Sequence, residues 1–177
     1  AMPALDLRKF IDQGVWIIST LYTYLSYTDD WSILDEKCSY YIVDENNTKV
    51  VAKSETVDTV LDHVVKVMDY LCRNVDGETG CLHMLYGDWN DALDALGKTE
   101  DETKEFGTGV SVMASLQLYQ NCSEICEILA HTGKYTEKIE QYIAEAAAFP
   151  NIGCVLLDDF CRQNAQNGGQ VSPANLC

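Results

Sequence analysis

Within eight residues, Tyr86-Gly87-Asp88-Trp89-Asn90-Asp91-Ala92-Leu93, the chain sets two carboxylates, an amide and an indole close together. Gly87 and Asp88 favour a turn, and Asp91 stands before a short apolar run, where a helix can start. A protonatable carboxylate beside a large flat aromatic suits chemistry on sugars. The aromatic face stacks on a pyranose ring, and the acid protonates a departing glycosidic oxygen. Burial against the indole raises a carboxyl pKa and keeps the acid protonated near neutral pH. The same residues also read as plain architecture, with Asp88, Asn90 and Asp91 as turn and cap residues and Trp89 as core.

The other reactive side chains are less pointed. The three histidines, His63, His83 and His131, face no Ser or Cys in a nucleophile elbow, so a catalytic triad is not indicated. His63 falls in a helical pattern, as a core or boundary residue. His83 stands a few residues before the motif and is a candidate to line the same cleft. The eight cysteines (38, 72, 81, 122, 126, 154, 161 and 177) include no Cys-x-x-Cys pair. Cys72 and Cys126 lie in apolar helical patterns. They read as small buried hydrophobes rather than a disulfide or metal framework.

The elements that must position these groups are mostly helical. Leu7 to Thr28 repeats apolar residues at spacings of three and four, and Trp16, Ile17 and Tyr24 widen that stripe, predicting a helix covered on more than one side. Trp31 to Leu34 starts a short helical piece. Tyr40 to Val43 and Lys49 to Ala52 flank a polar turn and predict a hairpin. Thr56 to Val75 predicts a second helix, with Val57 on its apolar face and Ser54 or Thr56 as its cap. Thr108 to His131 predicts a third, with Val112, Leu116, Tyr119, Cys126 and Leu129 on one stripe and Gly133 as terminator. Tyr135 to Ala148 predicts a fourth, stopped by Pro150. The fold class is therefore all-α, made of packed helical hairpins with one small β-hairpin insertion.

Composition bounds the function. The 177 residues are 47% hydrophobic, enough for a real core and for one domain, at most two. Twelve Lys and Arg against 28 Asp and Glu give a net charge of −16, which repels phosphate backbones and anionic lipid surfaces. Nucleic-acid binding is excluded as the main function, and no run of about 18–20 apolar residues is present to span a membrane. The segment from Ala1 to Phe10 has no signal-peptide apolar core, so the expected location is the cytoplasm.

Tyr86-Gly-Asp-Trp-Asn-Asp-Ala-Leu93 resembles the Gly-Asp-Trp-Asn-Asp signature of glycoside hydrolase family 94, which contains the cellobiose, chitobiose and related disaccharide phosphorylases. Asp29-Asp30-Trp31-Ser32-Ile33-Leu34-Asp35-Glu36 resembles the family's Gly-Asp-x-x-Ile-Leu-Asp-Glu loop. Phe106-Gly-Thr-Gly-Val-Ser-Val112 is similar to its Gly-Glu-Ser-Val segment, with Val110 standing where the pattern has Glu. The resemblance spans roughly Asp6 to Ala144.

The resemblance implies an inverting phosphorolysis of a β-linked glucosyl disaccharide or oligosaccharide, giving α-glucose 1-phosphate. Asp91 is then the general acid and Trp89 lines the sugar subsite; Asp88 and Asn90 take substrate-side or structural roles. Inorganic phosphate is the co-substrate, with no other cofactor and no metal. An inverting hydrolase needs a second carboxylate to activate water, whereas phosphate is already anionic and one acid suffices. The alternatives are an inverting glycoside hydrolase on a similar barrel and a catalytically silent helical module that binds sugar or a protein partner.

The family's catalytic domain is an (α/α)6 barrel of twelve helices. At about 11–12 residues per helix plus loops, it needs more than about 200 residues. The expected division is therefore residues 1–148, part of such a barrel, and 149–177, a C-terminal tail without family resemblance. The family's sugar-gripping Arg and Asp lie upstream of the matched region and its phosphate-binding residues downstream. A fragment of the enzyme is expected to be inactive alone and prone to self-association through uncovered apolar faces, and the full-length protein to be a possible homodimer.

Overall fold

The apolar periodicity becomes four helices, and their caps show why each begins where it does. The computed structural model describes residues 8–44, 47–88 and 97–148. In chain order these hold α1 (Asp12–Thr28), a 3-10 turn (Trp31–Asp35), β1 (Lys37–Asp44), β2 (Asn47–Thr59), α2 (Val60–Arg73), the two-residue strands β3 (Leu82–His83) and β4 (Val110–Ser111), α3 (Val112–Thr132) and α4 (Glu137–Ala148).

Helix α2 begins at Val60, four residues after Thr56, because residues 57–59 are taken by pairing with residues 37–39 of β1. Thr59, not Ser54 or Thr56, is the cap. Its hydroxyl accepts from the Asp62 amide at 3.1 Å, and the Asp62 carboxylate accepts from the Thr59 amide at 2.9 Å, a reciprocal capping box. Val57 accordingly sits in β2 and is half-exposed rather than on the buried face of α2, which is Leu61, Val64, Val65, Met68, Leu71 and Cys72. Helix α1 begins at Asp12 because the residues before it pair elsewhere: Phe10 bridges to Leu85 and Gly87. Helix α3 is capped by Ser111, whose hydroxyl accepts from the Ala114 amide, and ends at Gly133 in the left-handed region at φ 66°.

The helices form two hairpins laid side by side. Ser19 donates to Glu124 and Tyr22 to Glu127, so α1 and α3 run parallel. Tyr135, just before α4, donates to Asp62, and Tyr142 donates to Asp69, so α2 and α4 run parallel as well. Consecutive helices are antiparallel. The core between these two layers holds Val15, Ile18, Met68, Leu71, Leu118, Ile125, Ile128 and Tyr142.

Both flanks of this array carry apolar surface, against the expectation that α1 is covered on several sides. Trp16 and Ile17 remain half-exposed. With Tyr24, Ile33, Val60 and Val64 they line an open groove of about 500 Å³. On α3, the predicted stripe residues Val112, Leu116 and Tyr119 are exposed, and the buried face is Ala114, Leu118, Cys122, Ile125, Ile128 and Leu129. Leu116, Tyr119 and Cys126 face Ile139, Ile143 and Ala146 of α4 across a second groove of about 840 Å³.

The two ends of the array differ. One end holds the N-termini of α1 and α3 and the β3–β4 pair. The opposite end holds the 3-10 turn and the β1–β2 hairpin, which is longer than the sequence suggests. Its register runs from Lys37 opposite Thr59 to Asp44 opposite Asn47, with irregularities between Ser39 and Tyr41 and between Val43 and Asp44. Its base is tied to α2: Tyr40 donates to Asp58 at 2.6 Å, Lys66 donates to both, and His63 stacks on the Tyr40 ring. His63 is thus a boundary residue, as its helical position implied.

Candidate active site at the paired helix N-termini

The motif enters the structure as an irregular segment, residues 84–88, held on two sides by hydrogen bonds and isolated bridges. On one side the Tyr86 amide donates to the Lys9 carbonyl at 3.0 Å, and the Ile11 amide donates to the Gly87 carbonyl at 3.1 Å. On the other, Leu82 and His83 pair with Ser111 and Val110, and the Met84 amide donates to the Gly109 carbonyl at 2.8 Å. The segment is therefore gripped by the two chain stretches that lead into α1 and α3. Trp89, Asn90 and Asp91 lie outside the described residues, so Asp88 is the motif carboxylate whose surroundings are visible.

Asp88 is buried, 8% exposed, and its Oδ2 accepts from the Ser111 hydroxyl at 2.8 Å. A second buried carboxylate, Asp12, lies in the first turn of α1. Anionic groups are favoured at helix N-termini, where unpaired amides and the aligned peptide dipoles leave partial positive charge. Two parallel helices thus each bring that charge to the same end of the molecule.

The backbone here is strained. Leu85 is buried at φ 55°, a left-handed conformation that costs a non-glycine residue about 1–3 kcal/mol. Its surroundings fix it: Phe10 bridges to it from one side, and Gly97 approaches its carbonyl from the other. A Cβ on Gly97 would stand 1.5 Å from the Leu85 oxygen, so no other residue fits. The described chain on either side of residues 89–96 is thereby anchored close to one point, Leu85.

Cations and aromatics gather at this end despite the acidic total. The Arg8 guanidinium donates to the Tyr86 hydroxyl at 3.2 Å and lies 4.9 Å from that ring and 5.0 Å from the Phe10 ring. Lys98 lies 5.7 Å over the Tyr86 ring, and Phe10 meets Tyr86 edge-on at 5.2 Å. Lys9 pairs with Glu105 at 2.7 Å.

His83 sits at this end, paired with Val110 one position from Ser111. Its Nε2 is 3.7 Å from Asp76, and its Nδ1 is buried without a partner among the described residues. The Asp76 carboxyl is held below its ordinary value by the Thr79 amide and hydroxyl. Among the described residues no group of three or more His, Cys, Asp or Glu side chains is arranged to hold a metal ion. Those cysteines that are described are free thiols.

Ser111, Asp12 and Leu85 did not stand out in the sequence. Ser111 carried one usable signal, a serine immediately before a helical apolar run. Asp12 is a lone acid inside an apolar stripe. Nothing in the residue types announces the φ of Leu85.

The family model described as "Glycosyl hydrolase 94 superfamily, catalytic domain" matches residues 7–153. The chain belongs to this family. Within glycoside hydrolase family 94, the solabiose phosphorylase of Paenibacillus borealis is 30% identical over 124 residues, which is 70% of this chain and 14% of that protein. The chain therefore spans only 14% of the length of the curated relative it matches. The match of the family 94 catalytic domain runs from before α1 to beyond α4 and takes in the motif loop.

Proposed function

We propose that this chain contributes the acid-bearing loop of an inverting disaccharide phosphorylase acting on a β-linked glucosyl disaccharide or oligosaccharide. The observation that carries the reading is a Gly-Asp-Trp-Asn-Asp sequence in a family 94 catalytic domain, whose leading residues, up to Gly87 and Asp88, are held by the stretches that enter α1 and α3. Asp91 gives its proton to the glycosidic oxygen as the bond to the anomeric carbon breaks. Inorganic phosphate attacks that carbon from the opposite face, and α-glucose 1-phosphate leaves with inverted configuration. Trp89 stacks on the sugar ring, with Asn90 beside it. The Ser111 bond favours a structural part for Asp88 over direct substrate contact.

Protonating a leaving group contributes typically 10²–10⁴-fold. In-line holding of phosphate and sugar must supply most of the rest, and a chain spanning 14% of its relative leaves that to other segments. The isolated chain is therefore expected to release little or no α-glucose 1-phosphate from cellobiose and phosphate. Replacing the matching segment of the Paenibacillus borealis enzyme with this chain's residues tests the reading. Expected is phosphate-dependent turnover that falls about 10²–10⁴-fold with Asp91→Asn. Turnover that needs no phosphate would point to a hydrolase. A folded, active chimera indifferent to Asp91→Asn would remove the acid assignment and favour a silent binding module.

A further inference from the structure

The helical array repeats itself. The hairpins α1–α2 and α3–α4 stand side by side, with α1 parallel to α3 and α2 parallel to α4. One lateral step therefore carries the first hairpin onto the second. The flanks that face one another are closed in the core. The outward flank of each hairpin carries an apolar groove, and exposed apolar surface of this kind marks a site of association.

The two outward flanks differ in relief. The α1–α2 flank presents bulk: Trp16 and Ile17 are 50% and 51% exposed, and Tyr24 is 39% exposed. The larger α3–α4 groove is lined in part by small residues, Ser123, Cys126, Ala130 and Ala146. Helices pack when the ridges of one enter the grooves of the other, so bulk on one flank suits hollows on the other. Either flank set against its own copy would oppose bulk to bulk or hollow to hollow. The lateral step inside the chain already places the first hairpin against the second.

We propose that the α3–α4 groove takes the α1–α2 flank of a second copy of this chain, head to tail, continuing the step that relates the two hairpins within one copy. Two different surfaces meet in such a contact, so each copy added leaves one flank open for the next. The inference does not rest on the phosphorylase reading: association can fail with Asp91 still the acid, and Asp91→Asn can prove silent with association intact.

The test is sedimentation velocity on the full 177-residue chain over a concentration series. High salt screens the repulsion between copies of net charge −16. The wild type should form a ladder of species that lengthens with concentration. Trp16→Lys spoils the α1–α2 flank alone, and Ile143→Lys, at a residue 56% exposed in the α3–α4 groove, spoils the other. Lysine lowers the negative charge, so a loss of association is not the product of added repulsion. Each variant alone should be monomeric, because every head-to-tail contact in its sample includes a spoiled flank. Mixed one to one, the two should form a heterodimer and nothing larger. Cys126 should label more slowly in associated wild type than in Trp16→Lys, although that substitution lies on the opposite flank. Ile17→Lys and Leu116→Lys, also at exposed positions lining the two grooves, give the same pattern if either first variant loses its urea midpoint.

A wild type that stays monomeric throughout would overturn the proposal. So would a dimer in either single variant alone, which would show a flank pairing with itself. Association that survives in the Trp16→Lys/Ile143→Lys double variant would place the contact elsewhere and overturn it too.

Discussion

The Tyr142 hydroxyl donates to Asp69 Oδ1 at 2.9 Å from a ring that is completely buried between α2 and α4. Lys138 closes the same carboxylate from the rim, donating to both oxygens at 2.8 and 2.7 Å. Burial and this hydrogen bond together push the Tyr142 pKa up, so the phenol stays a donor across the accessible pH range. The pair joins the two helical hairpins through the layer that the motif does not use.

Removing the two partners should have unequal effects. Tyr142→Phe deletes one hydrogen bond and keeps the ring, at a cost of about 0.5–1.5 kcal/mol, extending toward 3 because the acceptor is charged. Asp69→Ala leaves a buried hydroxyl without an acceptor and Lys138 without its carboxylate, and should destabilise more than Tyr142→Phe. Urea midpoints at constant slope check the order. Equal midpoints for the two variants would show that Asp69 holds nothing beyond the phenol.

The capping box at α2 makes a prediction about acid. The Tyr135 hydroxyl, followed by the Thr59 hydroxyl and amide, brings the Asp62 carboxyl down to about 2 from an ordinary 3.8. A carboxylate whose folded pKa lies below its unfolded value stabilises the fold above the unfolded pKa. That contribution fades as pH falls through the folded one. The wild-type chain should therefore exceed Asp62→Asn in urea midpoint at pH 5, and the gap should close between about pH 4 and pH 2. A gap that persists at pH 2 would mean the carboxylate acts through shape rather than charge.

Thiol reactivity should sort by burial. Desolvation pushes the Cys72 and Cys122 thiols up to about 12 and raises Cys126, whereas Cys38 is exposed on β1. The thiolate is the reactive form. With a chromogenic disulfide at pH 8 and peptide mapping, Cys38 should label fast, Cys126 slowly, and Cys72 and Cys122 only on unfolding. Prompt labelling of Cys122 in folded chain would contradict its burial on α3.

What the sequence made legible was set by local signals. Gly133 ends α3 as its position implied, because a left-handed residue after the last turn is a backbone requirement readable from one letter. The start of α2 was not readable in the same way. Residues 57–59 carry helical spacing, yet pairing with residues 37–39 claims them, a non-local choice that no short window contains. The stripe read on α3 failed for a related reason. Val112, Leu116 and Tyr119 have the right period, but period does not say which flank a neighbour covers. At the site, the motif itself was legible from its chemistry. Its grip by residues 8–11 and 109–111 was not, because that contact joins segments about 75 and 25 positions away in the sequence.

The parallel arrangement of α1 with α3 gives the molecule a front and a back. The stretches that lead into α1 and α3 lie at the front, with Asp88, and the β1–β2 hairpin projects from the back. The seventeen residues of α1 put about 25 Å of helix between the two. A probe, an epitope or a surface tether joined at Asp44 or Asn47, which pair at the far end of the described hairpin, would thus sit a full helix length from Asp88. The chain can be handled from behind, immobilised or labelled, with its front left open to whatever completes the site.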